Sequence, residues 1–309
     1  MKRHSEDIHK SILQRLKNQA RAENLPQANV LLYYGMQCFL NRLSCTEYWD
    51  KFILKGGMIF NALEIPNRRA TRDLDFQGVL SKDKDNLISI TKEICEINIE
   101  PDGVVFDTST ITAEEIMFEA NYPGVRTKFL GYLGKSRINM VLDVSFGGSI
   151  VPNALVMDFP TLLDVPSFKI RRYPLETVVS EKLETTISKS EFNSRRKDFY
   201  DLWLLSQEKE FDGTVLVKAI RATFQDRNTK LPSDIHSIFS DQFIFQHQSA
   251  WVAFLRREAL DRFAPEDFEN VVNALRLFLL PPIEAIDQDK LFEMYWKPKG
   301  PWRSKPTSG

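Results

Sequence analysis

The sequence predicts an α+β fold, in which a small, partly antiparallel mixed sheet of about residues 50–170 is flanked by helices. Apolar residues recur at helical spacing in residues 6–21 and 28–42, and again after residue 175. Residues 103–147 instead contain short runs rich in β-branched and aromatic residues, which are typical of strands. We therefore expect four segments: N-terminal helices at 1–49, a mixed core at 50–170, a helical domain at 171–295 and a basic, Pro-rich tail at 296–309. The tail is expected to be an arm or to be disordered.

The composition indicates an ordinary globular protein. Of its 309 residues 43% are hydrophobic and 27% are charged, and the net charge of −1 gives no overall sign of nucleic-acid binding, although it leaves room for a local basic surface. No apolar run approaches the ~18–20 residues that span a bilayer, and the first residues lack the apolar stretch of a secretory signal. Three scattered cysteines without CxxC spacing favour reduced thiols, so we expect a cytoplasmic protein that does not bind membranes. The four histidines form no ligand-spaced pair, which argues against a zinc site.

A glycine pair ends the first β-like run. The segment FILKGG stops at Gly56 and Gly57, and Met58 to Leu63 are expected to begin a helix. Glycine lets backbone N–H groups approach a polyphosphate closely, and a helix N-terminus favours negative charge. The pair is thus a candidate phosphate site, although an ordinary turn explains two glycines equally well.

Two acids follow in the next β-like run. We predict a strand from Thr71 to Phe76, which would place Asp73 and Asp75 on one face, ~6.5–7 Å apart along the chain. Two carboxylates at this spacing can share a divalent cation, and Mg²⁺ prefers such oxygen ligands together with substrate phosphates. The alternative is a turn with two solvated acids.

A third acid, Asp143, lies inside the apolar run INMVLDVSF. A buried carboxylate is costly unless it finds a partner or a metal. If this strand pairs beside the one with Asp73 and Asp75, Asp143 would complete the metal site or deprotonate an attacking hydroxyl. It could equally be a strand-end acid turned to solvent.

Charged residues also border the apolar stripes of two later helices. Lys182 lies four residues after Val178, at the margin of a packed face, where it would either extend to solvent or contact phosphates. Asp198 shares a face with Leu202, which favours an inward position, although an acid in a first helical turn is also favoured by the helix dipole.

Four motifs in order resemble the AbiEii/AbiGii nucleotidyltransferase toxin family, a branch of the DNA polymerase β-like nucleotidyltransferase superfamily. They are LKGG, RRATRDLDF, VLDVSF and SEKLETTISKSEFNSRRKDFYDLW. The N-terminal segment and the WKPKGPW of the tail are also similar, so that the resemblance covers nearly the whole chain. It implies a polymerase β-like core flanked by N-terminal helices and a helical C-terminal domain.

The resemblance implies a role for each matching residue. Gly56 and Gly57 would hold the triphosphate together with Thr71, and Asp73 and Asp75 would bind Mg²⁺, with Mn²⁺ as a substitute. Lys182 would contact nucleotide phosphates. In the motif Lys197-Asp198-x-x-Asp201, Asp198 would be the functional acid and Asp201 structural. Asp143 matches the third carboxylate of the superfamily, which the family motifs do not require. Thr185 replaces the alanine that usually follows the EKL motif.

The implied function is Mg²⁺-dependent transfer of a nucleoside monophosphate from an NTP to an acceptor, with tRNA expected first. Family members are toxins of abortive-infection (phage-defence) type, paired with a cognate antitoxin encoded nearby. The basic segments 169–172, 195–197 and 297–305 are candidates to meet an RNA acceptor. We expect Lys182 and Asp198 to lie across a cleft from the Asp-x-Asp. Three alternatives are a transferase that modifies proteins, a glycosyltransferase that uses Asp-x-Asp, and an inactive module that binds RNA or a partner.

Overall fold

The computed structural model describes residues 2–99, 101–117, 122–163, 165–188, 195–230 and 239–304, with side chains described from residue 8 onward. The chain forms two compact units. The sheet unit consists of Met1–Glu64, Ala70–Gly147 and Leu155–Arg172. The helical unit consists of Ile65–Arg69, Gly148–Ala154 and Tyr173–Gly309. Among the described residues, no helix is long and apolar enough to cross a membrane.

The sheet unit is built on a mixed sheet, which in the described part of the chain has seven strands. These are β1 (Phe52–Lys55), β2 (Leu74–Gly78), β3 (Val104–Met117), β4 (Pro123–Leu133), β5 (Ser136–Phe146), β6 (Leu155–Phe159) and β7 (Phe168–Arg172). Their order is β3-β4-β5-β2-β1-β7-β6. The β2–β5 and β1–β7 pairs are parallel and the other neighbours are antiparallel. The predicted α+β class with a mixed sheet is therefore confirmed.

Helices cover the apolar face of this sheet. They are α1 (Lys2–Ala22), α2 (Gln27–Ser44), the single turn α3 (Met58–Ala62) and α4 (Lys84–Glu96). Helix α2 packs against β5, β7 and α4. At its end, Arg42 forms a buried ion pair with Asp102, 2.7 Å from nitrogen to oxygen, and this pair ties α2 to the start of β3. The helices predicted from the spacing in residues 6–21 and 28–42 are thus confirmed as α1 and α2.

The predicted strand from Thr71 to Phe76 is wrong at its beginning. Strand β2 begins at Leu74, because its partner β1 ends at Lys55, which pairs with Asp75, and β5 pairs with β2 only from Leu74 onward. Asp73 therefore lies just before the strand, where the Thr71 hydroxyl donates to its carboxylate across 3.3 Å. The alternation itself is as predicted, since Leu74 and Phe76 are buried and Asp75 is half-buried on the opposite face.

The helical unit contains five longer helices among its described residues. They are α5 (Leu175–Ser188), α6 (Arg196–Glu208), α7 (Gly213–Asp226), α8 (Asp241–Glu258) and α9 (Phe268–Asp287). Helices α5 and α7 pack together, and α9 contacts α6, α7 and α8. Large aromatic side chains fill the core between them; Phe199, Tyr200, Trp251 and Phe268 are each fully buried. The helical character predicted after residue 175 is therefore confirmed.

The end of the chain is more ordered than the composition of its tail suggests. Short strands β8 (Phe211–Asp212), β9 (Met294–Trp296) and β10 (Arg303–Ser304) form a second sheet. The Trp296 indole donates to the Ser206 carbonyl over 2.8 Å, and the Trp302 indole donates to the Phe278 carbonyl over 2.9 Å. Of the two expectations for the tail, an arm and a disordered segment, disorder is wrong for residues 296–304, because two tryptophans anchor them. Residues 305–309 lie outside the described part of the chain.

Candidate active site

The register of the sheet brings three acids together at one place in the sheet unit. Parallel pairing of β2 and β5 puts Asp75 directly beside Asp143, and Asp73 lies two residues before Asp75. Carboxylate oxygens of these three residues lie within 4.8 Å of one another. We refer to Asp73, Asp75 and Asp143 as the acid triad. The condition set from the sequence, that the two strands be neighbours, is met.

Asp143 is buried and paired. Its side chain is 4% exposed, so it is not a solvent-facing acid at a strand end. The Arg126 guanidinium on β4 donates from Nε to Oδ1 over 2.8 Å and from Nη2 to Oδ2 over 2.7 Å. The hydrogen bonds to Asp143 raise the pKa of Arg126 above its ordinary value, and the charges of nearby acids, Asp73 among them, add to the effect. Arg126 is thus a permanent cation held at the edge of the acid triad.

The acid triad fits a divalent cation such as Mg²⁺ in both its donors and its dimensions. Three carboxylates are hard oxygen ligands, and Asp73 and Asp75 are half-buried, so that they remain open to a ligand. Ligand oxygens on opposite sides of an octahedral Mg²⁺ lie about 4.2 Å apart, twice the usual bond length. Neighbouring ligand oxygens on the same ion lie about 3 Å apart, so the oxygens of the triad, which lie within 4.8 Å of one another, would draw together as the ion binds.

The glycine corner, which consists of Gly56 and Gly57, touches this acid triad. Gly56 has a φ of +65°, a conformation that side chains other than glycine's rarely adopt. A Cβ on Gly56 would lie only 1.9 Å from Oδ2 of Asp75. The backbone of Gly56 therefore lies against the carboxylate, and only glycine leaves this space free.

Gly57, the second residue of the glycine corner, has a different structural role. Gly57 has the helical angles φ −64° and ψ −28° and caps α3, which has only five residues. Such a short helix has a small dipole, so the expected help from a helix N-terminus is weak here. The attraction of this corner for phosphates would have to come from its close-lying backbone N–H groups.

Lys182 and the two aspartates of its motif form one buried ion-pair cluster in the helical unit. Lys182 Nζ lies 2.9 Å from Oδ1 of Asp198 and 2.6 Å from Oδ2 of Asp201. Burial alone would lower the pKa of Lys182, but the two carboxylates outweigh it and raise that pKa above its ordinary value. Burial likewise would raise the pKa of Asp198, and Lys182 instead holds it below its ordinary value. Lys182 is therefore charged and does not extend into solvent, because its side chain is 12% exposed.

The two aspartates differ in how completely they are satisfied. Asp201 accepts from Nε and Nη2 of Arg69 at 3.0 and 2.9 Å in addition to Lys182. Asp198 uses Oδ1 for Lys182, whereas its buried Oδ2 has no hydrogen-bond partner among the described residues and lies 3.6 Å from Arg195. A buried acceptor without a donor is unusual and available to a ligand. This difference favours Asp198 as the functional acid and Asp201 as the structural one.

The basic segments that we expected to meet RNA are partly used inside the protein. Arg171 donates to the Asp50 carbonyl, and Lys169 lies 3.4 Å from Asp158. Arg196 is buried and lies 2.9 Å from the His247 ring, whereas Lys197 is exposed. The last residue of the third segment, at 305, lies outside the described residues.

Two cations near the acid triad escaped the reading of the sequence. Arg126, Asp143, Asp75 and Lys55 pair in register across four neighbouring strands, so that a cation lies at each end of a row with two acids between them. Lys55 was visible as the residue before the glycines. Arg126 left no such signal, because its position depends on the register of the β4–β5 hairpin.

Comparisons with known proteins found similar solved structures and a matching family model. Two crystal structures of Helicobacter pylori proteins are similar over most of the chain, each at 15% identity. One is a candidate nucleotidyltransferase, and its alignment covers 87% of this chain and 100% of that chain with a TM-score of 0.48. JHP933 covers 86% and 96% with a TM-score of 0.46. No curated protein matches the sequence.

The model of one protein family, described as the nucleotidyl transferase AbiEii toxin of a type IV toxin–antitoxin system, matches residues 38–274. The match includes the glycine corner, the acid triad and the Lys182 cluster. The chain therefore belongs to the AbiEii family of nucleotidyltransferase toxins.

Proposed function

We propose that this nucleotidyltransferase transfers a nucleoside monophosphate from an NTP to the acceptor end of tRNA, and that it acts in the cytoplasm as the toxin opposed by a cognate antitoxin. The observation that supports this most is the contact of the glycine corner with the acid triad. Gly56 lies against the carboxylate of Asp75, and Asp75 pairs directly with Asp143. Phosphate-binding backbone and metal-binding carboxylates are the two parts that phosphoryl-group chemistry needs side by side.

The reaction is an in-line substitution at the α-phosphorus. A bond forms from an acceptor oxygen to the α-phosphorus, the bond to the β-phosphate oxygen breaks, and pyrophosphate leaves. A Mg²⁺ or Mn²⁺ ion held by Asp73, Asp75 and Asp143 would supply positive charge that offsets the charge of the phosphate oxygens. The protein contributes mainly position and charge, since such transition states require little covalent help.

Each residue of the candidate site has a role in the proposed reaction. The backbone of Gly56 and Gly57 receives the triphosphate, and the Thr71 hydroxyl orients Asp73 through its 3.3 Å hydrogen bond. Lys182 contributes a buried cation for nucleotide phosphates, and Asp198 offers its free oxygen to the substrate. Both oxygens of Asp143 already accept N–H groups from Arg126, so we assign Asp143 to ligand binding and not to proton transfer.

Label transfer tests the proposal. Purified protein is incubated with Mg²⁺, total RNA and total protein, and with each of the four α-³²P NTPs in turn. Transfer to the tRNA fraction by wild type, and not by Asp73→Ala, is the expected result. Label on protein would keep the chemistry and replace the acceptor, and absence of label with every nucleotide would contradict the proposed activity.

A further inference from the structure

Arg126 is bound to Asp143, one of the three acids that a metal ion would need. Its guanidinium holds both oxygens of Asp143 at 2.8 and 2.7 Å in the two-pronged geometry that gives the strongest arginine–carboxylate pairs. Arg126 itself is 37% exposed, so it can move away from Asp143 without unpacking the core. The pair therefore joins a fixed, buried acid to a cation that stands at the surface.

The charge balance of the site follows from this pair. Three carboxylates give the acid triad a charge of −3. Arg126 and Lys55, at the two ends of the row, each offset one of these charges, and Arg126 does so through the oxygens of Asp143 itself. Repulsion between Arg126 and a divalent cation about 5 Å away weakens binding roughly tenfold, even when the dielectric is as high as that of water. The same hydrogen bonds resist any contraction of the triad, because Asp143 would have to move away from the Arg126 nitrogens that it binds.

A second acid lies beside Arg126: Glu114 on β3 pairs with it in register, and the charge of Glu114 adds to the attraction on Arg126. The other cation on the same face of β4, Lys128, pairs with the exposed Glu114 at 2.6 Å, outside the acid triad. Within the row across the strands, Arg126 faces Asp143, and Asp75 lies beyond it. Arg126 is therefore the cation of β4 whose charge acts on the triad.

We propose that Arg126 is a positioning residue that weakens the affinity of the acid triad for free divalent cations, so that stable metal binding requires the triphosphate of the nucleotide. The proposal rests on the proposed function, since it assumes that the acid triad holds a metal. The triphosphate adds negative charge and further oxygen ligands, which offset Arg126. In this protein, metal and nucleotide would then bind as a cooperative pair.

Binding of Mn²⁺, measured by electron paramagnetic resonance of the free ion, tests this without any turnover. Wild type, Arg126→Gln and the control Arg137→Gln, which removes an exposed arginine of β5 that donates to Asn139, are titrated with and without a non-hydrolysable NTP analogue. We expect Arg126→Gln to bind Mn²⁺ about tenfold more tightly than wild type in the absence of nucleotide, and to gain less from the analogue. Arg137→Gln is expected to match wild type. Equal or weaker Mn²⁺ binding by Arg126→Gln would overturn the proposal. If Arg126 served only to stabilise the fold, its removal would not strengthen metal binding.

Two further comparisons keep the test decisive. If Arg126→Gln does not fold because Asp143 loses its partner, the same substitution is made together with Asp143→Asn, which leaves no buried charge alone. The double variant should then bind Mn²⁺ more tightly than Asp143→Asn alone, and equal binding by the two would count against the proposal. A wild type that binds Mn²⁺, with no gain in Arg126→Gln, contradicts this inference alone, whereas absence of binding in every variant, with or without the analogue, contradicts the proposed metal site as well.

Discussion

Replacing Gly56 by alanine tests the contact between the glycine corner and the acid triad. A left-handed backbone costs an alanine about 1–2 kcal/mol. The new Cβ would also lie 1.9 Å from Oδ2 and 2.7 Å from Cγ of Asp75, so the carboxylate has to retreat by more than an ångström. Turning that side chain away from its preferred rotamer costs about 1 kcal/mol more. We therefore expect Gly56→Ala to lower the free energy of unfolding by about 2–3 kcal/mol.

The matched control is Gly134→Ala in the β4–β5 turn. Gly134 also has a positive φ, +58°, but its added Cβ would find its nearest neighbour, in His9, at an ordinary 3.4 Å. This variant should lose about 1–2 kcal/mol and keep its activity. Displacement of Asp75 by an ångström should lower label transfer by Gly56→Ala about a hundredfold. Denaturant unfolding and the label-transfer rate measure both effects. Equal losses in the two variants, in stability and in rate, would refute the claim that Gly56 makes room for Asp75.

Three further predictions concern the helical unit. Lys182→Met leaves the buried Asp198 without its hydrogen-bond donor, while Asp201 keeps Arg69, and should cost about 3 kcal/mol in denaturant unfolding. Lys197→Met, in the same motif but exposed, should change stability by less than about 0.5 kcal/mol, and similar losses in the two variants would contradict the buried cluster. Lys182 holds the pKa of Asp198 below its ordinary value. The ion pair therefore stabilises the fold fully when the pH is above the ordinary pKa of an aspartate, and this stabilisation is lost as the pH falls through the lowered pKa of Asp198. Asp198→Asn should therefore flatten the pH dependence of the unfolding midpoint below about pH 4, and an unchanged acid limb would contradict the assignment. Trp302→Ala should cost about 3 kcal/mol and Leu291→Ala, 87% exposed, almost nothing; a tolerated Trp302→Ala would mean that the tail does not anchor the unit.

The sequence was most informative where one local pattern determines the structure. The alternation around Leu74 and Phe76 predicted on which face Asp75 lies, since neighbouring residues of a strand point to opposite faces. The glycine pair likewise marked a corner, because only glycine adopts the backbone of Gly56 without strain. The pairing of Asp75 with Asp143 could only be stated as a condition, since nothing in either segment determines which strands become neighbours.

Other features depend on contacts between distant segments. Arg126 lies 17 residues from Asp143, and a shift of one residue in the hairpin would have turned it to the other face. The tail was expected to be an arm or disordered because prolines, glycines and lysines dominate it. Trp296 and Trp302 in so short a segment were a signal that it packs against other residues. Composition was misleading for the tail, and the register of a hairpin could not be read for Arg126. In both places individual large or charged side chains determine the structure.

Transfer from NTPs labelled at the α or at the γ position tests the central claim most directly. The account predicts covalent label on the acceptor from α-³²P NTP and none from γ-³²P NTP, because pyrophosphate leaves. Asp75→Asn should reduce this transfer by at least about a hundredfold. Asp158→Asn removes an exposed acid that pairs with Lys169, outside the acid triad, and should leave transfer unchanged. Label from the γ position, or transfer that persists in Asp75→Asn, would contradict a nucleotidyl transfer site built on the acid triad.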